Sequence, residues 1–371
     1  MALCLANYSL KYDAMIACVN RRIGGSVLRE SVNGVNQSKG GLFLNLALIG
    51  TGKIVKEALA ALQQVPQITC TAIFARPHSR EKAEALAEEY KIPAVYTDYA
   101  ELLQSSAVDF VYIGLVNSAH YAYTKQALLA GRNVILEKPF APSYAQTAEL
   151  AALAEEKGLY LFEAVTLLHM PNFRAIQQAL PKLGRIHFVQ CNYSQYSSRY
   201  DNYCKGIVQP AFDPVLYGGA LYDINIYNLN FVIGLFGAPQ KVDYAANIGF
   251  NGIDTSGILT MRYDGFIASC IGAKDSASPG NLTIQGEKGY LCVTSAPNAL
   301  ASFALNLGGE TEVFALNEYE HRMVHEFIEF ADTYERKDFA RMSAGLAVSK
   351  AVIRTAEQAA QCAGLVFGEK A

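Results

Sequence analysis

Lys138, Asp223 and Tyr227 are the residues of this chain best placed to move a proton at a substrate oxygen. Lys138 follows the apolar, β-branched run Asn133-Val134-Ile135-Leu136, inside the tripeptide Glu137-Lys138-Pro139. Such a run, without polar alternation, predicts an interior parallel strand. A lysine and a carboxylate at its carboxyl end stand where open α/β sheets bind ligands. Pro139 removes a backbone donor and disfavours helical geometry at Lys138, so the chain turns there and presents the ammonium on a fixed backbone. A lysine so placed can donate a hydrogen bond to a substrate oxygen and ease proton loss from a neighbouring hydroxyl. Taken alone, the tripeptide is equally a strand end with a surface salt bridge. Asp223 and Tyr227 are four apart in a segment that Gly218-Gly219 opens and Gly237-Ala238-Pro239 stops, so a helix puts them on one face. A phenol is a poor base at neutral pH. An ammonium beside it favours the phenolate.

The elements that must position these groups alternate. Leu44 to Ile49 is a short apolar strand, Gly50-Thr51-Gly52 a turn, and Lys53 to Leu62 a helix with Ile54, Val55, Ala58, Leu59 and Leu62 on one face. Strand, glycine turn and helix form the context of a dinucleotide fingerprint. Gly50 allows the tight turn, and Gly52 lets the amides that open the helix, around Lys53 and Ile54, approach a pyrophosphate. Val55 holds the third glycine position, which implies looser helix–strand packing or a displaced helix. Ile68 to Phe74 reads as a strand, Ser79 to Tyr90 as a helix, and Asp98 to Glu101 as a capped helix start. A strand over 108–114, a helix over 119–130 and a helix from Ser143 to Gly158 follow. This spacing predicts a doubly wound parallel sheet.

After Ala164 the pattern changes. Strands are predicted over 186–194, 241–248, 257–263, 266–272, 281–285 and 290–294, with turns at Asp264-Gly265 and Gly286-Glu287-Lys288-Gly289. Clustered strands with few helices between them predict an antiparallel or mixed sheet. Glu318 to Tyr334 and Ser343 to Ala363 read as terminal helices.

In order, Gly50-Thr51-Gly52, Asn117 and His120, Glu137-Lys138-Pro139, Glu163-Ala164 with His169 and Pro171, and Gly218 to Tyr227 resemble the glucose–fructose oxidoreductase / inositol dehydrogenase / rhizopine-catabolism family of NAD(P)-dependent oxidoreductases. The resemblance runs from about Leu42 to the C-terminus, and tyrosine instead of histidine at 227 is nearer the dihydrodiol and xylose dehydrogenase branch. It implies an α/β chain with an N-terminal Rossmann domain over 42–163 and a C-terminal α+β domain over 164–371. The second domain's open-faced sheet would join the protein into a homodimer or homotetramer. It also implies hydride transfer between a nicotinamide and a hydroxyl or carbonyl carbon of a sugar, polyol or cyclic diol. Lys138 and Tyr227 would serve the acid–base step, and Asp223 would orient substrate. Gly50, Thr51, Gly52, Lys53, Ile54, Asn117, His120, Glu137 and Lys138 would line the cofactor, and the Lys138–Pro139 peptide would be cis. The same resemblance leaves open a glycosidase that uses the cofactor transiently. A non-catalytic dinucleotide sensor is a further alternative, against which the intact Lys138, Asp223 and Tyr227 set argues.

The residues after the second predicted strand speak to the cofactor's phosphate state. An acidic side chain there would bind the ribose hydroxyls of NAD. This chain reads Phe74-Ala75-Arg76-Pro77-His78-Ser79-Arg80 instead, and Arg76, Ser79 and Arg80 offer charge and donors to a 2′-phosphate, which favours NADP. Tyr193, Tyr196, Tyr200 and Tyr203 could wall a substrate pocket, and packing explains them equally well. A net charge of −3 offers no basic surface for nucleic acid. No run is apolar enough to span a bilayer. Eight scattered cysteines without a Cys-x-x-Cys pair read as reduced thiols of a cytoplasmic protein, with no metal site. Residues 1–41 fall outside the resemblance and lack the pattern of a secretory signal. They read as a dispensable extension, either a misassigned translation start or a vector-derived leader, with a functional arm as the alternative.

Overall fold

Short buried strands and the helices between them follow one another as β1 (Leu44–Ile49), α1 (Lys53–Leu62), β2 (Ile68–Phe74), α2 (Arg80–Tyr90), β3 (Ala94–Tyr96), α3 (Tyr99–Gln104), β4 (Phe110–Ile113), α4 (His120–Leu129), β5 (Asn133–Glu137), α5 (Tyr144–Lys157) and β6 (Leu161–Ala164). This computed structural model describes residues 44–368. The 1–41 extension therefore lies outside the described residues. The six strands pair in parallel in the order β3-β2-β1-β4-β5-β6. The order reverses between β1 and β4, and a ligand crevice opens at such a switch point. Helix ends follow local chemistry: Asp98 accepts from the Ala100 and Glu101 amides, Ser143 caps α5, and Gly158 ends α5 in the left-handed region.

The loose packing expected at Val55 is not found, because the missing side chain has moved to the facing strand. Val55 is fully buried. Opposite it stands Gly114, just after β4, where an added Cβ would meet Val55 Cγ2 at 2.7 Å. Helix and sheet thus keep a close approach with the glycine on the sheet side. β3 is three residues long, too short for an alternation to register in the sequence.

The second half continues with α6 (Thr166–His169), α7 (Pro171–Ala179), β7 (Ile186–Ser194) and α8 (Tyr200–Cys204), then a π-helical turn over Leu221–Asn225 that runs into α9 (Ile226–Phe236). β8 (Lys241–Ile248), β9 (Asp254–Tyr263), β10 (Phe266–Ala273), β11 (Asn281–Gly286), β12 (Gly289–Val293), β13 (Phe303–Leu307) and β14 (Glu310–Phe314) precede α10 (Met323–Glu335) and α11 (Phe339–Cys362). Eight strands form a mixed sheet in the order β14-β13-β12-β11-β7-β10-β9-β8, with β7 and β10 its parallel pair. The hairpin β13–β14 was not expected from the sequence. One face of this sheet is buried against the π turn and α9, while the register puts Ile258, Ile267, Tyr290 and Val313 together on the exposed face.

The C-terminal helices also complete the first sheet. Phe327, Phe330 and Tyr334 of α10 pack on Tyr112, Phe162 and Phe110, and α10 touches α1. α11 packs on α5 and β6 as well as on α9 and β8.

Candidate active site

Three segments bring Lys138, Asp223 and Tyr227 together. Lys138 leaves the end of β5, where Leu136 pairs with Glu163 and Glu137 with Ala164 of β6. The Lys138–Pro139 peptide is cis. The ammonium donates to the Asp223 carbonyl at 3.0 Å, stands 3.5 Å from Asp223 Oδ1, and lies 4.8 Å from the centre of the Tyr227 ring. Asp223 sits in the π-helical turn and Tyr227 in the first turn of α9. The expected uniform helix is thus widened by a π turn at the point where Asp223 projects, a feature often found at functional sites. Tyr193 of β7 meets Tyr227 edge-on, with ring centroids 5.8 Å apart.

A fourth residue escaped the sequence reading. Lys274, directly after β10, is only 3% exposed, and its ammonium stands 2.7 Å from Asp223 Oδ2. It also donates to the Ala211 carbonyl and rides over the Phe212 ring at 4.5 Å from its centre. Its sequence signal resembles that of Lys138: a cation at the end of an apolar strand. Burial pushes the Asp223 carboxyl up, but the Lys274 and Lys138 ammoniums outweigh it and hold the acid well below the usual carboxylate range. Burial likewise favours neutral Lys138, yet Tyr227, Asp223 and Glu137 together raise it above an ordinary lysine. Both groups therefore stay charged at neutral pH. Burial pushes the Tyr193 phenol up to about 12.

The remaining expected site residues divide into those at the crevice and those beneath it. Gly50 has φ +120°. The space above Gly52 is open, so a side chain there would occupy the approach to the helix. α1 has no side-chain cap and no acidic residue in its first turn, and its first turn starts with Lys53 and Ile54. These features fit a dinucleotide pyrophosphate held by backbone amides of Thr51 to Ile54. Lys53 is exposed and pairs loosely with Glu57. Asn117, after β4, donates to the Tyr217 carbonyl at 2.8 Å and so ties the first sheet's crevice to the segment before the π turn.

His120 and Glu137 do not line the crevice as expected. His120 is wholly buried, with Nδ1 2.8 Å from the Pro139 carbonyl and Nε2 3.2 Å from that of Leu115. It braces the turn that carries Lys138, and burial lowers its pKa to about 4. Glu137 points into the core, where it accepts a 2.6 Å hydrogen bond from the Tyr112 hydroxyl, and burial raises its carboxyl. The alternation of side chains along a strand explains this, since consecutive residues at the end of β5 face opposite ways. His169 lies 3.2 Å from Glu329. It borders a separate cavity of about 270 Å³, lined also by Glu163, Arg174 and Arg341. Of the four tyrosines before the π turn, only Tyr193 reaches Tyr227. Tyr200 and Tyr203 pack with Phe212, beneath Lys274.

At the end of β2, Arg76 is exposed and Ser79 half-buried. Arg80 is engaged with Glu84 at 2.7 Å, whereas Arg76 makes no ion pair among the described residues. Among the described residues no helix is long and apolar enough to cross a membrane, and no group of three or more His, Cys, Asp or Glu could hold a metal ion. The six described cysteines are free thiols.

Comparison with known proteins bears on the same residues. Residues 44–165 match the profile of the oxidoreductase family with an NAD-binding Rossmann fold, and residues 173–292 match the GFO/IDH/MocA C-terminal domain. The chain is 31% identical to the oxidoreductase YgjR of Escherichia coli over 87% of its own length and 98% of that protein. It is 29% identical to the NADP(+)-type scyllo-inositol 2-dehydrogenase IolU of Bacillus subtilis, with the same coverage of 87% and 98%. In fold it is similar to the 3-ketoreductase KijD10 of Actinomadura kijaniata, solved with NADP and TDP-benzene. The TM-score is 0.73 at 22% identity, over 86% of this chain and 97% of that one.

Proposed function

The chain belongs to the GFO/IDH/MocA family of NAD(P)-binding oxidoreductases acting on CH–OH groups, and on that premise we propose a concrete reaction: oxidation of a secondary hydroxyl of a sugar, polyol or cyclic diol, or reduction of the matching ketone. The observation that carries this reading is the Asp223 carboxylate held between Lys138 and Lys274 beside Tyr227. When bound, a nicotinamide supplies the hydride acceptor or donor. Lys138, raised by its partners, stays an ammonium and anchors the reacting oxygen by a hydrogen bond instead of surrendering its own proton. The Tyr227 hydroxyl exchanges the proton with that oxygen. Asp223, kept ionised, accepts a hydrogen bond from a neighbouring hydroxyl, which favours substrates that carry two hydroxyls side by side.

NADP is the proposed cofactor. Support comes from the missing carboxylate after β2 and from exposed Arg76 with Ser79 close by. The NADP named for IolU and for the KijD10 complex agrees in kind. The exposed face with Ile258, Ile267, Tyr290 and Val313 supports a homo-oligomer through the second sheet. A sedimentation measurement in which the protein runs as a monomer would overturn that part. Free thiols agree with a cytoplasmic location, which is also proposed.

The test of the reaction is nicotinamide absorbance, followed with NADP and NAD against a panel of inositols, sugars and trans-diols, with monohydric alcohols as controls. Turnover confined to compounds with adjacent hydroxyls is expected. Turnover of simple alcohols alone would remove the role given to Asp223, and no turnover across the panel would overturn the reading.

A further inference from the structure

The cavity that His169 borders lies apart from the Lys138, Asp223, Lys274 and Tyr227 cluster, none of which lines it. Residues of β6, α6, α7, α10 and α11 enclose about 270 Å³ there. That is just under the ~300–1,000 Å³ of ordinary small-molecule sites, so the space suits a small ligand. Its walls are largely apolar, and Phe162, Phe173 and Phe330 bring buried aromatic rings to them.

Polar groups stand at two places in this cavity. At the buried one is Glu163, whose carboxyl oxygens are shut off from solvent and have no hydrogen-bond partner among the described residues. The Ser349 hydroxyl, beside the same cavity, donates to the Gly345 carbonyl at 3.3 Å instead. Burial pushes the Glu163 carboxyl up to about 7, and Ser349 with the Phe140 amide offsets this only in part. A buried carboxyl without a partner is uncommon, because it forfeits its solvation and gains nothing in return. At the exposed place is Arg174, whose side chain is 48% exposed. Glu329 is met there by Arg174, by Arg341 at 2.7 Å and by His169 at 3.2 Å. Against its burial, these groups hold the Glu329 carboxyl down at about 2. One carboxylate therefore serves two guanidiniums. Asp332 also lies 3.5 Å from Arg341, whereas Arg174 has Glu329 alone within ion-pair distance among the described residues. A guanidinium carries several N–H donors in a fork, so Arg174 keeps some for a ligand.

We propose that this cavity is a second binding site, for a small hydroxyaryl carboxylate, with the hydroxyl at Glu163, the ring among the phenylalanines and the carboxylate at Arg174. The site is independent of the hydride transfer proposed above. The surplus of guanidinium at the exposed end selects an anion, and a carboxylate matches its fork. The aromatic walls select a flat ring. A hydroxyl suits Glu163 in either protonation state, since a carboxylate accepts and a carboxylic acid both donates and accepts. An ammonium suits only the ionised form and must pass the guanidiniums to reach it.

The test titrates the full chain, in the presence of NADP, with 4-hydroxybenzoate, 3-hydroxybenzoate, benzoate, 4-hydroxybenzyl alcohol and 4-(aminomethyl)benzoate, followed by calorimetry. At least one hydroxybenzoate is expected to bind with a Kd below about 1 mM. Benzoate should bind roughly 2–10-fold more weakly than that isomer, for one hydrogen bond lost. The uncharged 4-hydroxybenzyl alcohol should bind at least about tenfold more weakly, as should the hydroxybenzoate to Arg174→Gln, for a charge-assisted bond lost. Glu163→Leu should erase the preference for hydroxybenzoate over benzoate while leaving benzoate within about twofold. A merely structural role of Glu163 would change both ligands alike. If Glu163→Leu does not fold, Glu163→Gln, whose amide still accepts and donates, should keep the preference, and the ligand series with Arg174→Gln decides. The proposal is overturned if neither hydroxybenzoate binds, if binding is undiminished in Arg174→Gln, or if 4-(aminomethyl)benzoate binds more tightly than both.

Discussion

Lys274 reaches from the end of β10 to within 2.7 Å of the Asp223 carboxylate, which Lys138 approaches from the end of β5. The two lysines come from two different sheets, so the carboxylate is a point at which both halves of the described chain meet. Replacing Lys274 with methionine should release Asp223 Oδ2 and relieve the effect that holds its carboxyl low. We expect kcat/KM for a polyol to fall roughly 10–100-fold, as for loss of a hydrogen bond to a charged group. The acid limb of the pH profile should move up, because Asp223 then takes a proton at higher pH. An unchanged acid limb in Lys274→Met would separate Lys274 from the chemistry.

Lys138→Met should nearly abolish turnover while leaving NADP binding close to normal. The loss should be roughly 10²–10³-fold, as for removal of a donor that stabilises charge on the reacting oxygen. Single-turnover kinetics with NADP affinity measured alongside checks this, and a variant keeping more than about a tenth of kcat contradicts the assignment.

NADP should bind more tightly than NAD, and Arg76→Ala should narrow or reverse the preference. Arg76 is the better probe than Arg80, whose guanidinium is already paired with Glu84 at 2.7 Å. Fluorescence titration of both cofactors measures the ratio, and equal affinities in the unaltered protein would defeat the idea.

Glu163→Gln should stabilise the protein on the alkaline side only. Burial pushes the Glu163 carboxyl from 4.5 up to about 7. Between those two values the folded state binds the proton that the unfolded chain releases, so stability falls as pH rises through this window and levels above it. Glutamine cannot ionise and removes that decline. The gain at about pH 8 should approach, at most, roughly 3 kcal/mol, and little should change at about pH 5. Thermal melts at the two pH values decide the matter. A variant less stable than the parent at the higher pH would mean that ionised Glu163 is held by hydrogen bonds stronger than its burial cost.

Much of this was legible in the sequence because several levels of signal agreed. Strand, glycine turn and helix at residues 44–62, with the apolar run before Glu137, led directly to the parallel sheet and to Lys138. What escaped did so for identifiable reasons. β3 has three residues, below the length at which periodicity can be read. The β13–β14 hairpin carries its signal in Gly308-Gly309 between two short strand-like runs, without the alternation that marks the longer strands. Lys274 could be found only by applying to β10 the reasoning applied to β5. Val55 misled because a fingerprint glycine marks a close approach between two elements, and Gly114, on the other one, satisfies it. His120 and Glu137 stand next to crevice residues in sequence, but their side chains turn inward, which only the three-dimensional arrangement reveals.

The packing of α10 on the first sheet has a consequence for synthesis. Phe110, Tyr112 and Phe162 are covered by Tyr334, Phe327 and Phe330, side chains that the ribosome adds only after the whole mixed sheet has been made. At ~5–20 residues per second, the interval between Ala164 and Met323 lasts on the order of ten to thirty seconds. During it, the aromatic side chains of α10 that pack on Phe110, Tyr112 and Phe162 have not yet been made. Apolar surface left open in this way is prone to associate with other chains, so a stall in translation before Met323 is expected to favour aggregation.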